Sequence, residues 1–111
     1  MIRRQIQHLA QQRLDQYPAV ALVGPRQCGK TTLAQMMGGL YFDLEQEPER
    51  LRVDLEWDSL EQSSELVILD EAQSWPELFP RLRGAIDRHR KRMGRFLLLG
   101  SVSPSLMTQV S

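Results

Sequence analysis

Apolar residues recur along the chain with two periods, which predicts alternating helices and strands. Residues 1–16 place apolar side chains at helical spacing in an Arg-rich stretch, so we expect an amphipathic helix packed on the domain. Short apolar runs predict strands at residues 19–23, 40–44, 66–69 and 95–99. The first and third runs are apolar throughout, which is typical of buried strands. Because helical segments separate the strands, we expect an α/β domain, a parallel sheet with helices on both faces.

The segments between the strands carry their own start and stop signals. A helix over residues 29–37 should end at the Gly38–Gly39 pair. Pro48 opens a second, charged helix, and Asp58 with Glu61 has capping-box spacing for a third, shorter one.

Pro80 restricts where the last helix can begin. Ser74 and Glu77 also have capping-box spacing, but Pro80 would break a helix that began at Ser74. We therefore expect a single turn over residues 76–79, followed by a helix with Pro80 in its first position.

The composition excludes several classes of protein. The chain has 111 residues, 41% of them apolar, and its 14 basic and 14 acidic side chains balance. This balance argues against a dedicated nucleic-acid or anionic-membrane binder, and no apolar run approaches the ~20 residues of a membrane span. Residues 2–16 lack the Ser-rich composition of a transit peptide. The single cysteine excludes an internal disulfide and fits a reducing compartment. We expect one cytoplasmic domain that does not enter a membrane.

One motif between the first strand and the following helix predicts a phosphate-binding loop. It matches the P-loop pattern GxxxxGK(S/T) and comprises Gly24, Pro25, Arg26, Gln27, Cys28, Gly29, Lys30 and Thr31. Glycines let successive N–H groups surround phosphate oxygens, and the helix that follows adds its positive end. Lys30 would reach the β- and γ-phosphates, Thr31 would ligate Mg²⁺, and Thr32 would complete the phosphate-binding set. The alternative is a glycine turn with an incidental lysine.

The third predicted strand ends in two carboxylates, Asp70 and Glu71. Asp70 would face the crevice where open α/β sheets bind ligands, and it suits the acid that holds a Mg²⁺ ion. Glu71 could orient or deprotonate the water that attacks a γ-phosphate. The alternative is that the Asp-Glu pair merely ends a strand and begins a polar loop.

Ser101 follows the last predicted strand. Its hydroxyl could hydrogen-bond the attacking water or the γ-phosphate from a neighbouring strand end. Turn chemistry explains the Gly100-Ser101 pair equally well.

Three segments in this order, GPRQCGKT, LVILDEAQ with the following WPELFPRLRGAID, and FLLLGSVSPSL, resemble predicted ATPases of the AAA+ superfamily. More narrowly, they are similar to a bacterial and archaeal group in which an AAA-type domain precedes a C-terminal domain. The resemblance implies a P-loop NTPase three-layer sandwich that binds ATP, with Lys30 and Thr31 in Walker A and Asp70 and Glu71 in Walker B. It also implies that Ser101 takes the sensor position, on a strand between the P-loop strand and the Asp70 strand.

The chain departs from this group in two respects. Members tend to carry Thr where Leu99 stands. The group also continues past the position of Ser111 with another strand, a helical lid and arginines that complete a site at subunit contacts. None of these maps onto the sequence, so we expect residues 1–111 to be the N-terminal part of an AAA-type domain, incomplete at its C-terminus.

Other conspicuous residues favour structural interpretations. The basic run at residues 88–92 suits a solvated helix end. Trp57 and Trp75 suit packing. Cys28 lacks a base that would make it a catalytic thiol, and His8 and His89 lack a plausible metal cluster.

The sequence thus predicts an ATP·Mg²⁺-binding domain, an ATPase in its complete context. The alternatives are a nucleotide-binding remnant or regulatory module without useful turnover and, less favoured, a small-molecule phosphotransferase. A homo-oligomer is compatible with the family resemblance. The sequence does not identify a protein or DNA partner.

Overall fold

The computed structural model describes residues 2–24 and 30–101. Strands and helices alternate along them, as the hydrophobic pattern predicts. The elements are α1 (Ile2–Gln16), β1 (Ala19–Gly24), α2 (Lys30–Met37), β2 (Leu40–Asp43), α3 (Glu47–Leu55), α4 (Trp57–Gln62), β3 (Val67–Asp70), a 3₁₀ turn (Ala72–Ser74), α5 (Leu78–Arg88) and β4 (Phe96–Ser101). In the described part of the chain, no helix combines the length and apolar character needed to cross a bilayer.

The four strands form one parallel sheet in the order β1-β4-β3-β2. The chain therefore crosses over between β1 and β2, and β4 returns to lie between β1 and β3. The family resemblance implied one part of this order, the strand of Ser101 between the strands of Gly24 and Asp70.

Helices cover both faces of the sheet. On one face, a core that includes Phe42, Leu69 and Phe96 packs against side chains of α3, α4 and α5. On the other face, residues including Ile68 and Leu97 pack against α2. The three-layer α/β architecture predicted from the sequence is confirmed.

Both tryptophans have packing roles. The rings of Trp57 and Phe96 stack with centroids 6.1 Å apart and an interplanar angle of 9°. Trp75 packs at the edge of the same core, and the Arg81 guanidinium lies 5.5 Å from its ring centroid.

One strand, β1, is less buried than its apolar sequence predicts. Each residue of β3 is buried, as expected, because β3 has a strand on either side and helices on both faces. In contrast, Ala21 and Val23 of β1 are exposed, Val23 to 65%. In the described structure β1 pairs with β4 alone, at the edge of the sheet. The apolar run alone predicted a buried strand. The family resemblance, in which a further strand follows the position of Ser111, predicted an edge beside this strand, and β1 lies at the edge in the described structure.

Two helix starts also differ from prediction. The last helix begins at Leu78, so Pro80 is its third residue rather than its first. Pro80 is tolerated there because the first helical N–H groups need no acceptor within the helix. α4 begins at Trp57, so Asp58 lies inside its first turn and makes no capping box with Glu61.

Glu61 instead binds the end of α5. The Arg88 Nε and Nη2 donate to its two oxygens at 2.7 and 2.6 Å, and this hydrogen-bonded guanidinium lowers the pKa of the Glu61 carboxyl. Arg92 Nη2 donates to the carbonyl of Ser63 at 2.7 Å. Arg88, Arg90 and Lys91 are exposed, as expected for a solvated helix end. The contacts of Arg88 and Arg92 add that the run is also tied to α4 and the residue after it.

The turn between α2 and β2 requires glycine at position 39, and substitution of Gly39 tests this requirement. The φ of Gly39 is +97°, and a Cβ at this position would overlap the backbone carbonyl oxygen of Leu66. That oxygen is held in place because it accepts the Leu40 N–H at 2.8 Å. We expect Gly39→Ala to lower the free energy of unfolding by about 1–2 kcal/mol from backbone strain and by about 1–3 kcal/mol more from the overlap. Denaturant unfolding monitored by circular dichroism measures it.

Gly38→Ala is the matched control. Gly38 also has a positive φ, +73°, but nothing lies within 4 Å of a Cβ built there. The control should show the backbone strain alone, about 1–2 kcal/mol. Equal destabilisation by the two substitutions would contradict the role given to the Leu66 carbonyl.

Candidate functional site

The carboxyl ends of the four strands meet at one edge of the sheet. In the strand register, Gly24 lies beside Ser101, Leu99 beside Asp70, and Asp70 beside Asp43. Of the predicted site residues that the structure describes, Gly24, Asp70 and Ser101 therefore lie at the same sheet edge, although 77 positions separate Gly24 from Ser101 in the sequence. This edge is where parallel α/β sheets bind ligands.

Most of the predicted phosphate-binding loop lies outside the described residues, namely Pro25, Arg26, Gln27, Cys28 and Gly29. The elements on either side of it are described. β1 ends at Gly24, and α2 begins at Lys30 and includes the backbone of Thr31 and Thr32. The motif thus joins a strand to a helix N-terminus, which is the context that its interpretation requires.

Asp70 lies at the end of β3 on the α2 side of the sheet. Ile68, two residues earlier on the same face, packs in a cluster with Ala34 of α2. The Asp70 side chain is buried, and its Oδ2 accepts a hydrogen bond from the Tyr41 hydroxyl. Its Oδ1 is also buried and has no hydrogen-bond partner among the described residues. Burial raises the pKa of the Asp70 carboxyl, and the hydrogen bond from Tyr41 opposes that effect.

The buried Oδ1 of Asp70 bears on whether a Mg²⁺ ion fits here. An unpartnered buried carboxylate oxygen is costly unless a ligand or a cation engages it. Oxygen is the atom type that Mg²⁺ prefers, and in nucleotide sites the ion takes one or two carboxylates together with substrate phosphates and water. The described residues hold no group of three or more His, Cys, Asp or Glu that could bind a metal by themselves. Asp70 offers one carboxylate oxygen of the kind that such a site uses.

Glu71 turns the chain immediately after β3. It is a non-glycine residue in the left-handed region, with φ 55° and ψ 47°. Its largely buried carboxylate lies at the end of β4, where the Ser101 Oγ is 3.0 Å from Oε1 and 2.9 Å from Oε2. The structure therefore brings together the two residues predicted from sequence as a water-activating acid and a sensor.

Gln73 is a member of this cluster that the sequence interpretation missed. Its Nε2 donates to Glu71 Oε2 at 2.7 Å and lies 3.5 Å from the carbonyl oxygen of Ser101. A Cβ on Gly100 would be 2.9 Å from the Gln73 Oε1, so the glycine leaves room for this amide. The position of Gln73, two residues after Glu71, is the available sequence signal, but the 3₁₀ turn that directs it toward β4 was not predicted.

Tyr41 is the second residue that was missed. Its strand was predicted, and a strand's alternation places Tyr41 and Asp43 on one face. The partner of the hydroxyl depends on which strand lies beside β2. The register that pairs Tyr41 with Ile68 supplies that information.

Together, the parallel sheet, its helix-covered faces and the acidic strand end define an α/β domain of the P-loop NTPase type. The family model described as an AAA domain matches residues 16–111, and the chain belongs to this family, a family of nucleotide-binding domains. An uncharacterized protein of Mycobacterium tuberculosis and one of Mycobacterium bovis are each 43% identical over 98 residues. The match covers 85% of this chain and 22% of each relative. No solved structure gave a significant match.

Proposed function

We propose that this domain binds ATP with Mg²⁺ and that, in the complete protein, it hydrolyses ATP. The observation that carries the proposal is the placement of Asp70 and Glu71 at the edge of the sheet where Gly24 leads into the loop. Membership of the AAA domain family supports the nucleotide. Two carboxylates at the end of β3, separated from the P-loop strand by β4, would supply a metal ligand and a proton acceptor, which phosphoryl transfer to water requires.

The P-loop residues would bind and orient the phosphates. Backbone N–H groups from Arg26 to Gly29, with those of Lys30, Thr31 and Thr32 at the start of α2, would surround the phosphate oxygens. The Lys30 ammonium would contact the β- and γ-phosphates. The Thr31 hydroxyl and the Asp70 carboxylate would hold Mg²⁺, which when bound neutralises charge on the phosphates.

Glu71 would orient the attacking water and accept its proton. Its carboxylate has a defined direction because the Ser101 hydroxyl and the Gln73 amide both donate to it. Such orientation is what a general base needs, since proton transfer requires hydrogen-bond distance to the water. Ser101 would act from the neighbouring strand end and would stay in contact with Glu71.

A nucleotide-binding module without useful turnover is the second candidate. One observation favours it: the single Ser101 hydroxyl proton is shared between the two Glu71 oxygens, and the Gln73 amide donates to one of them. A water molecule would have to share or replace these contacts. Phosphate release by the complete protein discriminates between the two functions.

Alkylation of Cys28, the chain's single cysteine, tests the proposed loop. If residues 24–31 enclose phosphates, bound ATP·Mg²⁺ should shield the thiol. At an ATP concentration ten times Kd, we expect iodoacetamide to label Cys28 about tenfold more slowly, in line with the fraction of free protein. Mass spectrometry of the labelled peptide measures the rate.

The same labelling of a Lys30→Ala variant is the control, because weak binding should abolish the protection at the same ATP concentration. Equal labelling of the parent with and without saturating ATP would place the nucleotide away from this loop.

A further inference from the structure

We infer that Tyr41 is a positioning residue for the metal site: its hydroxyl orients the Asp70 carboxylate so that Oδ1 is the oxygen offered to Mg²⁺. This inference rests on the proposed function, since it assigns a role toward the same ATP·Mg²⁺ site. It concerns a side chain on β2, outside the loop and the acidic pair.

The sheet register brings the two side chains together. Tyr41 lies beside Ile68, and Asp43 lies beside Asp70, so Tyr41 and Asp70 are diagonal neighbours on adjacent parallel strands. Residues two apart on a strand share a face, which places the Asp70 side chain on the same face as Ile68 and Tyr41. A long aromatic side chain can reach across this diagonal, and the Tyr41 hydroxyl donates to Asp70 Oδ2.

The segment that carries Tyr41 also contacts the main chain of Asp70. The Leu44 N–H, immediately after β2, donates to the Asp70 carbonyl at 2.8 Å. β2 therefore restrains both the main chain of Asp70 and one of its side-chain oxygens. The first contact fixes the main chain of Asp70, and the Tyr41 hydroxyl contact restricts rotation about its side-chain bonds.

The two carboxylate oxygens are consequently not equivalent. Oδ2 is used by the hydroxyl, whereas the buried Oδ1 has no hydrogen-bond partner among the described residues. Outer partners that orient a ligating group are worth about 10- to 100-fold in metal affinity. The Glu71 backbone N–H also hydrogen-bonds this carboxylate. Removal of the Tyr41 hydroxyl would take away the side-chain contact on Oδ2 and widen the range of directions in which Oδ1 is presented.

Tyr41→Phe is the discriminating substitution, because it deletes the hydroxyl and keeps the ring. The substitution removes only the hydroxyl, so no apolar group is lost from Tyr41, a residue that is 37% exposed. ATP affinity is measured by titration calorimetry in EDTA and again in saturating MgCl₂. The ratio of the two affinities is the strengthening that Mg²⁺ provides, and Mg²⁺ titrations at fixed ATP give the affinity for the ion.

We expect Tyr41→Phe to weaken Mg²⁺ affinity in the presence of ATP by about 10- to 100-fold and to leave ATP affinity in EDTA unchanged. Tyr17→Phe is the matched control, since Tyr17 lies just after α1 and is 50% exposed, and it should change neither quantity. In an Asp70→Asn background, Tyr41→Phe should have little further effect, because its contribution acts through the carboxylate.

The outcomes separate this inference from the proposed function. If the parent protein binds ATP more tightly with Mg²⁺ and Tyr41→Phe preserves that gain, the inference is overturned and the proposed function stands. An equal loss of ATP affinity with and without Mg²⁺ also overturns it, because that result describes general packing. If the parent fails to bind ATP at all, the proposed function falls and takes this inference with it.

Discussion

Glu71→Gln should lower the rate of ATP hydrolysis by about 10²- to 10⁴-fold, the usual contribution of a positioned proton acceptor. The amide has the shape of the carboxylate and can keep a hydrogen bond with Ser101, but it cannot accept a proton from water. ATP affinity should stay within about threefold, because Glu71 is assigned no contact with the phosphates. Phosphate release and calorimetric titration measure the two quantities.

The measurement belongs in the complete protein, because the curated relatives extend well beyond the 22% of their length that this chain matches. An arginine supplied to the γ-phosphate can be worth about 10³ to 10⁵ in rate in P-loop enzymes. Glu65→Gln, at an exposed position before β3, is the control and should leave the rate unchanged. Turnover that survives Glu71→Gln would remove this residue as the base and favour a water oriented by other groups.

Lys30→Ala should weaken ATP·Mg²⁺ binding by about 10- to 100-fold. Charge-assisted hydrogen bonds contribute about 1.5–3 kcal/mol, and Lys30 is the proposed cation on the phosphates. The far-UV circular dichroism spectrum should not change, because alanine favours a helix at least as well as lysine does at the start of α2. Titration calorimetry at fixed Mg²⁺ concentration gives the affinity.

Lys91→Ala is the matched control, since Lys91 is the chain's other lysine and is exposed after α5. It removes the same charge from the net balance without touching the proposed site. Comparable affinities for parent, Lys30→Ala and Lys91→Ala would contradict the assignment of residues 24–31 as the phosphate-binding loop.

Much of the fold could be predicted because most apolar runs in the sequence correspond to strands that the fold buries. β3 is apolar at the positions that two neighbouring strands and two helical layers cover, so its run in the sequence predicted both strand and burial. β1 has a similar apolar run but lies at the edge in the described structure, with Val23 exposed. The apolar pattern of a segment shows that the segment can be buried. Which strands lie beside it depends on pairing with residues that are distant in the sequence.

In the candidate site, too, some residues could be predicted from local sequence, whereas others depend on long-range pairing. Asp70, Glu71 and Ser101 could be proposed from sequence because each follows an apolar run and strand ends converge in a parallel sheet. Tyr41 lies 29 positions before Asp70, and Gln73 reaches Ser101 across 28 positions. Their hydrogen bonds depend on register and on the turn after β3. Neither is encoded in a short motif.

The left-handed backbone at Glu71 favours glycine for stability, whereas the candidate site uses the carboxylate at this position. For a residue with a Cβ, this conformation costs roughly 1–2 kcal/mol relative to the right-handed region, whereas glycine adopts it without that cost. Glycine would therefore suit the turn better, yet it would remove the carboxylate that meets Ser101. In a redesign for heat resistance, Glu71→Gly would be an obvious stabilising substitution, but it would sacrifice the carboxylate of the candidate site.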